Sequence, residues 1–409
     1  MVSPVKIIYY LSTLRLPTEK AYGINMIKTC EALGRQGVTV KLISPTFRHL
    51  PAKNIYDYYG AAKSFSVNFY PFLDLVSYLS TLNLFLWRQR ITSRPVFSWS
   101  LFRLAFLSDQ IIFSLVLLMA FIGRSRQSII YTRSLIPALI LKTLGYRVYY
   151  DLHAFPFHHR WFWRLALRRL DGLTITNQWK AKQCEQLFGL TQTKILIAPN
   201  GFDLDAYCAP FDRSALRQQL VSKSHHPIVL YAGHLYDWKG AHILAAAAQI
   251  LPALDFVFVG GTTDDCQQFR QRFNLSNVII LGRRPYRAIA NYLRSADILV
   301  YPNPGLSPQK YLTNFVTYDT SPIKLFEYMA SGVPIVATDL PSTREILNNN
   351  NATLVKPNSV QALVDGINEV LNHYQIMLTK AQHARVEAKQ YSWSIRAKNI
   401  LAFMINNGK

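Results

Sequence analysis

Two stretches of the sequence set glycines, lysines and carboxylates at spacings suited to holding a phosphorylated ligand. In the first, an apolar run at residues 226–232 ends in Gly233, and six residues later Lys239-Gly240 opens the next helix. A glycine at a strand end lets backbone come close to a ligand, and a lysine in that loop can neutralise a phosphate. A solvated lysine beside a turn glycine would read the same way. In the second, Asp319-Thr320-Ser321-Pro322-Ile323-Lys324-Leu325-Phe326-Glu327 runs on into Tyr328-Met329-Ala330-Ser331-Gly332-Val333-Pro334. Ser321 reads as an N-cap and Pro322 as a first helical residue, so the amides of Ile323, Lys324 and Leu325 point outward from a helix start. Such an end is a natural anion site. Glu327 lies one to two turns in, where a cleft-facing carboxylate could accept hydrogen bonds from sugar hydroxyls; Asp319 lies in the loop before it. A loop cap at Asp319 and a surface carboxylate at Glu327 are the plain structural alternatives.

The elements that must carry these residues alternate in the manner of a parallel sheet. A strand at 6–10, a helix near 22–35, a Gly37 break and a strand at 38–43 make a first βαβ unit, followed by strands at 128–131, 147–150, 172–176 and 194–197. The aromatic-rich region 54–126 is mostly helical by pattern. A second series has strands at 226–232, 255–259, 278–281, 298–301 and 334–337, with an Ala-rich helix at 241–251. The expected fold class is α/β, with two doubly wound sheets in succession and a linker near 205–224. A length of 409 residues suits two cores better than one.

Here the sequence resembles the retaining glycosyltransferases of family 4, which have the GT-B fold. That family marks its donor site with two acids separated by seven positions, and Asp319 and Glu327 form such a pair in this chain. Ala198-Pro199-Asn200-Gly201-Phe202-Asp203, Ser295-Ala296-Asp297-Ile298-Leu299-Val300-Tyr301-Pro302 and Tyr391-Ser392-Trp393 resemble further family signatures, in the family's order. The resemblance implies two Rossmann-like domains with a cleft between them: 1–205 for the acceptor, 206–390 for the nucleotide-sugar, and 391–409 as a helix crossing back. It implies that Lys239 contacts the donor diphosphate, Glu327 the ribose and Asp319 the transferred sugar, while the amides of Ile323 to Leu325 hold phosphate. His153, in Asp151-Leu152-His153 after a first-domain strand, corresponds to the family's active-site histidine. A histidine satisfied at a strand end is the alternative. Gly23, after the first strand, resembles the glycine that lets backbone approach the donor phosphates, and it would equally serve as a turn residue.

Three departures stand out: aspartate rather than glutamate at Asp319, His234 after Gly233 where many relatives have arginine, and Phe202 where valine or isoleucine is usual. The first shortens a reach by one methylene, the second weakens a phosphate partner, and the third affects packing alone. Asp203-Leu204-Asp205 falls inside the Pro-Asn-Gly signature and is discounted as a metal site. The expected reaction is thus metal-independent, without a cofactor, and retains anomeric configuration. A nucleotide-sugar epimerase or a phosphorylase on the same fold is an alternative, as is a basic nucleic-acid-binding protein, although no compact nucleic-acid motif is present.

Half of the residues are apolar and 17% are charged, which excludes a disordered or fibrous chain. Cys30, Cys184, Cys208 and Cys266 lie far apart and read as reduced thiols of a cytosolic protein. The net charge is +22, and residues 1–200, with 25 basic and 8 acidic residues, hold +17 of it. Such a field draws an anionic acceptor, glycan or lipid-linked, or an anionic membrane surface. The amino terminus reads as a buried strand, and the longest nearly unbroken apolar run, residues 111–122, falls short of the ~20 residues of a membrane span. Peripheral attachment to the inner membrane face is therefore expected instead, through the mixed aromatic and basic run from Phe155 to Arg169 and through Trp87, Arg88, Arg90, Arg94, Trp99 and Arg103.

Overall fold

The computed structural model describes residues 7–18, 20–47, 54–88, 99–221, 226–305 and 313–407. The side chains of Trp87, Arg88 and Trp99, and all of Arg90 and Arg94, lie outside that description. The chain forms two compact units: residues 1–175, 182–196 and 397–409, and residues 176–181 and 197–396.

Unit 1 is built on β1 (Ile7–Leu11), β2 (Thr39–Pro45), β3 (Ser66–Tyr70), β4 (Ile129–Thr132), β5 (Arg147–Leu152), β6 (Gly172–Ile175) and β7 (Ile195–Ile197). The strand order is β3-β2-β1-β4-β5-β6-β7, and the pairings from β3 through β6 are parallel. Parallel strands need crossovers, and the helices supply them: α1 (Ala21–Arg35), α2 (Ile55–Tyr59), α3 (Leu75–Arg88), α4 (Trp99–Phe121), α5 (Leu135–Thr143) and α6 (Arg160–Arg169). β3 escapes a reading of apolar runs because it is an edge strand with three exposed residues of five, so it needs no continuous apolar stretch. The core stacks aromatic rings edge to face, with Phe121 of α4 4.9 Å from Tyr9 and 5.5 Å from Tyr146.

Helix α4 corrects the expectation drawn from run length. It spans 23 residues, and Leu101–Phe121 is long and apolar enough to cross a membrane by length and composition. The polar residues that interrupt it in sequence, Asp109, Gln110 and Ser114, are buried on one face. Asp109 accepts hydrogen bonds from the amides of Leu75 and Val76 and so caps the start of α3.

Unit 2 is built on β8 (Ile228–Ala232), β9 (Asp255–Val259), β10 (Val278–Gly282), β11 (Ile298–Tyr301), β12 (Ile335–Thr338) and β13 (Thr353–Val355), in the order β10-β9-β8-β11-β12-β13, all parallel. β8, β9 and β11 are fully buried, as expected for central strands covered on both faces. Three residues of β13 are too few for a pattern to announce. The signatures around Asn200 and Trp393 meet inside this unit. The Phe202 amide donates to the Tyr391 carbonyl at 3.2 Å and the Trp393 amide to the Phe202 carbonyl at 3.1 Å. A Cβ on Gly201 would lie 2.8 Å from the Trp393 ring, so only glycine fits there. Phe202 is buried in the core against Tyr207, 5.6 Å between rings.

Candidate functional site

In unit 2 the strand order reverses between β8 and β11, and in an open parallel sheet ligands bind beyond the strand ends at such a switch point. Gly233 and the turn Asp237–Lys239 follow β8, while Pro302 and Asn303 follow β11. Gly240, at φ +79, abuts the Pro302 carbonyl so closely that a Cβ would overlap it; this holds the Lys239 turn against the end of β11. Helix Ile323–Ser331 is locked to both strands by Tyr328, whose hydroxyl accepts from the Ala232 amide at 2.9 Å and donates to the Val300 carbonyl at 3.4 Å.

The helix start differs in detail from the expected cap. Pro322, with extended backbone, is the capping residue rather than the first helical one. Ser321 does not cap; its hydroxyl accepts from the Asn200 amide at 3.2 Å, and the Asn200 side chain donates to the Ser321 carbonyl. Leu325 gives its amide to the Pro322 carbonyl at 3.1 Å, which leaves the amides of Ile323 and Lys324 at the open end of the helix.

Lys324 is the residue whose surroundings most need a ligand. Its Nζ is buried without a hydrogen-bond partner, 4.2 Å from the centre of the Tyr231 ring, and it presses on Gly233 where a side chain would otherwise stand. Burial, reinforced by the charge of Lys239, holds its pKa well below the usual lysine range, against the pull of Glu327. Lys239 lies 4.1 Å from the Trp238 ring centre, and burial brings its pKa down to about 8. Lys239 thus adds to the cost of charging Lys324, and two such lysines beside a strand switch could hold an anion, which would offset that cost.

Glu327 is not the exposed carboxylate expected from its place on the helix. It is buried, and burial pushes its pKa up to about 7, although Lys324 and the Tyr286 hydroxyl favour the charged form. Asp319 is not in a loop either. It ends a π turn, Phe315–Asp319, is 1% exposed, and its carboxylate and carbonyl both take Nζ of the buried Lys180. In this arrangement Asp319 faces a cation of its own unit instead of open space. His234 stacks on Tyr236, with 4.9 Å between parallel rings, and its carbonyl accepts from the Tyr231 hydroxyl at 2.7 Å.

Unit 1 has its own switch point, between β1 and β4, and a polar cluster lies beyond it. His153 follows β5 and its Nε2 is 2.9 Å from Asp151 Oδ2. Asp151 is buried and also accepts from Arg133 Nε at 2.9 Å, Thr174 Oγ1 at 2.9 Å and the Tyr10 hydroxyl at 3.3 Å. Arg133 Nη2 reaches both Asn25 Oδ1 and His153 Nε2. Gly23 is placed differently from the expectation. It lies in the first turn of α1, and the Tyr59 hydroxyl with Thr18 Cγ2 fills the space where a Cβ would point, so the glycine makes room for packing. Arg133 and Lys180 escaped sequence reading, since sheet pairing and chain return bring them in. Asp151 had a signal, for residues i and i+2 of a strand share a face.

Comparison with known proteins adds to this geometry. Residues 212–390 match the family model of glycosyl transferases group 1. This segment belongs to that family. The fold of the whole chain is GT-B. A structure of Anabaena Alr3699/HepE in complex with UDP superposes with a TM-score of 0.67 at 19% identity, covering 97% of this chain and 98% of that one. A D-inositol 3-phosphate glycosyltransferase from Xylanimonas cellulosilytica is 24% identical over 245 residues, 56% of each chain. A GDP-mannose-dependent monoacylated alpha-(1-6)-phosphatidylinositol monomannoside mannosyltransferase from Corynebacterium glutamicum is 26% identical over 254 residues, 58% of this chain and 65% of its own. The matched region thus spans less than two thirds of these two relatives.

Proposed function

We propose that the chain is a glycosyltransferase that moves a sugar from a nucleotide-sugar donor to an acceptor, with the donor diphosphate held in unit 2. The observation that carries this reading is the buried Nζ of Lys324, without a hydrogen-bond partner, beside Lys239 at the start of a helix. Breaking the bond between the anomeric carbon and the diphosphate leaves negative charge on the phosphate, and preorganised cations and amides oppose that charge. Lys239, Lys324 and the amides of Ile323 and Lys324 supply them, so the reaction needs no metal. Glu327 accepts the ribose hydroxyls. Asp319, held by Lys180, sets the position of the π turn that precedes the helix and meets the transferred sugar through it. As the family resemblance implies, His153 contacts the donor sugar near the reacting carbon and configuration is retained.

The acceptor is a glycan, a lipid-linked molecule or another anionic molecule, met on the inner face of an anionic membrane from the cytoplasm. The +17 charge of residues 1–200 supports this, as does α6, where Trp161 (69% exposed), Phe162 and Leu165 stand out among Arg160, Arg164 and Arg168. Trp163 is turned inward instead, 6.2 Å from the Tyr150 ring.

Thermal melting with UDP, GDP, ADP and pyrophosphate tests the donor site. At a ligand concentration of about 100 Kd, binding adds about 2.7 kcal/mol to stability. One nucleoside diphosphate should raise the melting temperature, and Lys324→Met should abolish that rise while melting higher on its own, because it removes a buried polar group that has no hydrogen-bond partner. If no nucleoside diphosphate stabilises the wild type, or if Lys324→Met responds as the wild type does, the assignment fails.

A further inference from the structure

We infer that α4 lies in the plane of an anionic bilayer, with its outer face in the layer where headgroups meet acyl chains. This extends the membrane-surface reading above, which rests on α6, to a different helix and a defined orientation. Leu104, Leu107, Ile111, Leu115, Met119 and, just past the helix end, Ile122 recur every three or four residues and are 43–67% exposed. They form one stripe along the full length of the helix. The opposite face, Phe113, Leu117 and Phe121 with Asp109, Gln110 and Ser114, is buried. A helix of a water-surrounded domain places polar residues outward and apolar ones inward. α4 instead turns its one carboxylate and both central polar residues toward the protein and its leucines toward the outside.

Charge complementarity selects the occupant. α4, α5 and α6 pack side by side, α4 on α5 and α5 on α6. Their cations are Arg103, Arg160, Arg164, Arg168 and Arg169, together with Lys142, which is paired with Asp171 at 2.6 Å, and their one acid is Asp109, which is buried capping α3. An apolar stripe beside a cationic neighbour suits acyl chains beneath anionic headgroups. A second copy of this chain would bring the same cations face to face, which opposes a dimer through this surface. The packing also excludes a spanning helix: a whole side of α4 is committed to Tyr9, Phe72 and Tyr146 of its own unit and cannot be ringed by lipid.

The test uses the full chain with phosphatidylcholine vesicles, with and without phosphatidylglycerol. The wild type should float with the anionic vesicles only. Ile111→Asp with Leu115→Asp should lower the partition coefficient by about tenfold or more per substitution. The same variant should keep its far-UV spectrum and melting temperature, since both positions are exposed. Labels at Leu104→Cys and Met119→Cys, in a Cys208→Ser background, should report equal, shallow depths by spin-label accessibility. Unequal depths along the helix would overturn the in-plane orientation. Undiminished flotation of the aspartate variant would overturn the α4 assignment; if Arg160→Glu with Arg164→Glu then abolishes flotation, the membrane reading stands on α6 alone. A wild-type dimer that the aspartate variant dissociates would overturn the bilayer as occupant. Absence of flotation at low salt would end both readings and leave the donor-site reading untouched.

Discussion

If the Lys239 ammonium meets the donor diphosphate, binding must take up a proton, and the amount can be worked out from the structure. Burial brings free Lys239 down to about 8 from an ordinary 10.5, and a diphosphate beside it restores the ordinary value. At pH 8.5 roughly a quarter of the free enzyme carries the charge and nearly all of the complex does, an uptake of about 0.75 proton; at pH 7 it is about 0.1. Affinity should therefore fall about tenfold between pH 7 and pH 9, equivalent to about 1.4 kcal/mol. Two neighbours also titrate. Glu327, at about 7, releases up to about half a proton at pH 7 when its carboxylate accepts hydroxyls, and almost none at pH 8.5. Burial lowers Lys324 in both the wild type and Lys239→Gln, so its contribution is common to the two proteins. Comparison of the wild type with Lys239→Gln separates the terms. Calorimetric titration with the tightest-binding nucleoside diphosphate, in buffers of differing ionisation enthalpy, reads the proton count directly. The wild type should take up about 0.65 proton more than Lys239→Gln gains between pH 7 and pH 8.5. Equal changes in the two proteins would remove Lys239 from the diphosphate site.

Glu327 carries a pH signature in stability as well. Its folded value near 7 exceeds the unfolded 4.5, so the folded chain loses stability as pH rises from about 4.5 through 7, by about 3 kcal/mol in all. Glu327→Gln should therefore gain on the wild type in urea unfolding at pH 8 relative to pH 5 while binding the donor more weakly; a constant gap would contradict the burial argument. Lys180→Met removes the buried cation that meets the Asp319 carboxylate, and should cost about 3–5 kcal/mol in unfolding free energy. Restoring much of that loss with a second change, Asp319→Leu, would show that the pair shapes the π turn, whereas a small loss from Lys180→Met alone would place the carboxylate in solvent. Transfer activity should survive exhaustive EDTA treatment, and strict dependence on a divalent cation would contradict charge neutralisation by Lys239, Lys324 and the helix amides.

Much of this protein is written in local sequence. The strand that ends in Gly233, the turn at Lys239-Gly240 and a helix opening near Pro322 are legible because backbone geometry and hydrogen bonds within a few residues decide them. Alternating strands and helices likewise announce two parallel sheets, since central strands must be apolar throughout. What local pattern cannot decide is burial, because burial depends on neighbours distant in the chain. Glu327 reads as a carboxylate open to a cleft or to the surface, yet it is enclosed and its proton is held to near neutral pH. Asp319 reads as a loop residue until Lys180 arrives from 139 positions away. Arg133 and Asp151 join His153 only because β4 and β5 pair in register. α4 reads as a broken apolar run until the structure turns its polar residues inward, for one helix can divide its two faces between environments that a linear count averages together.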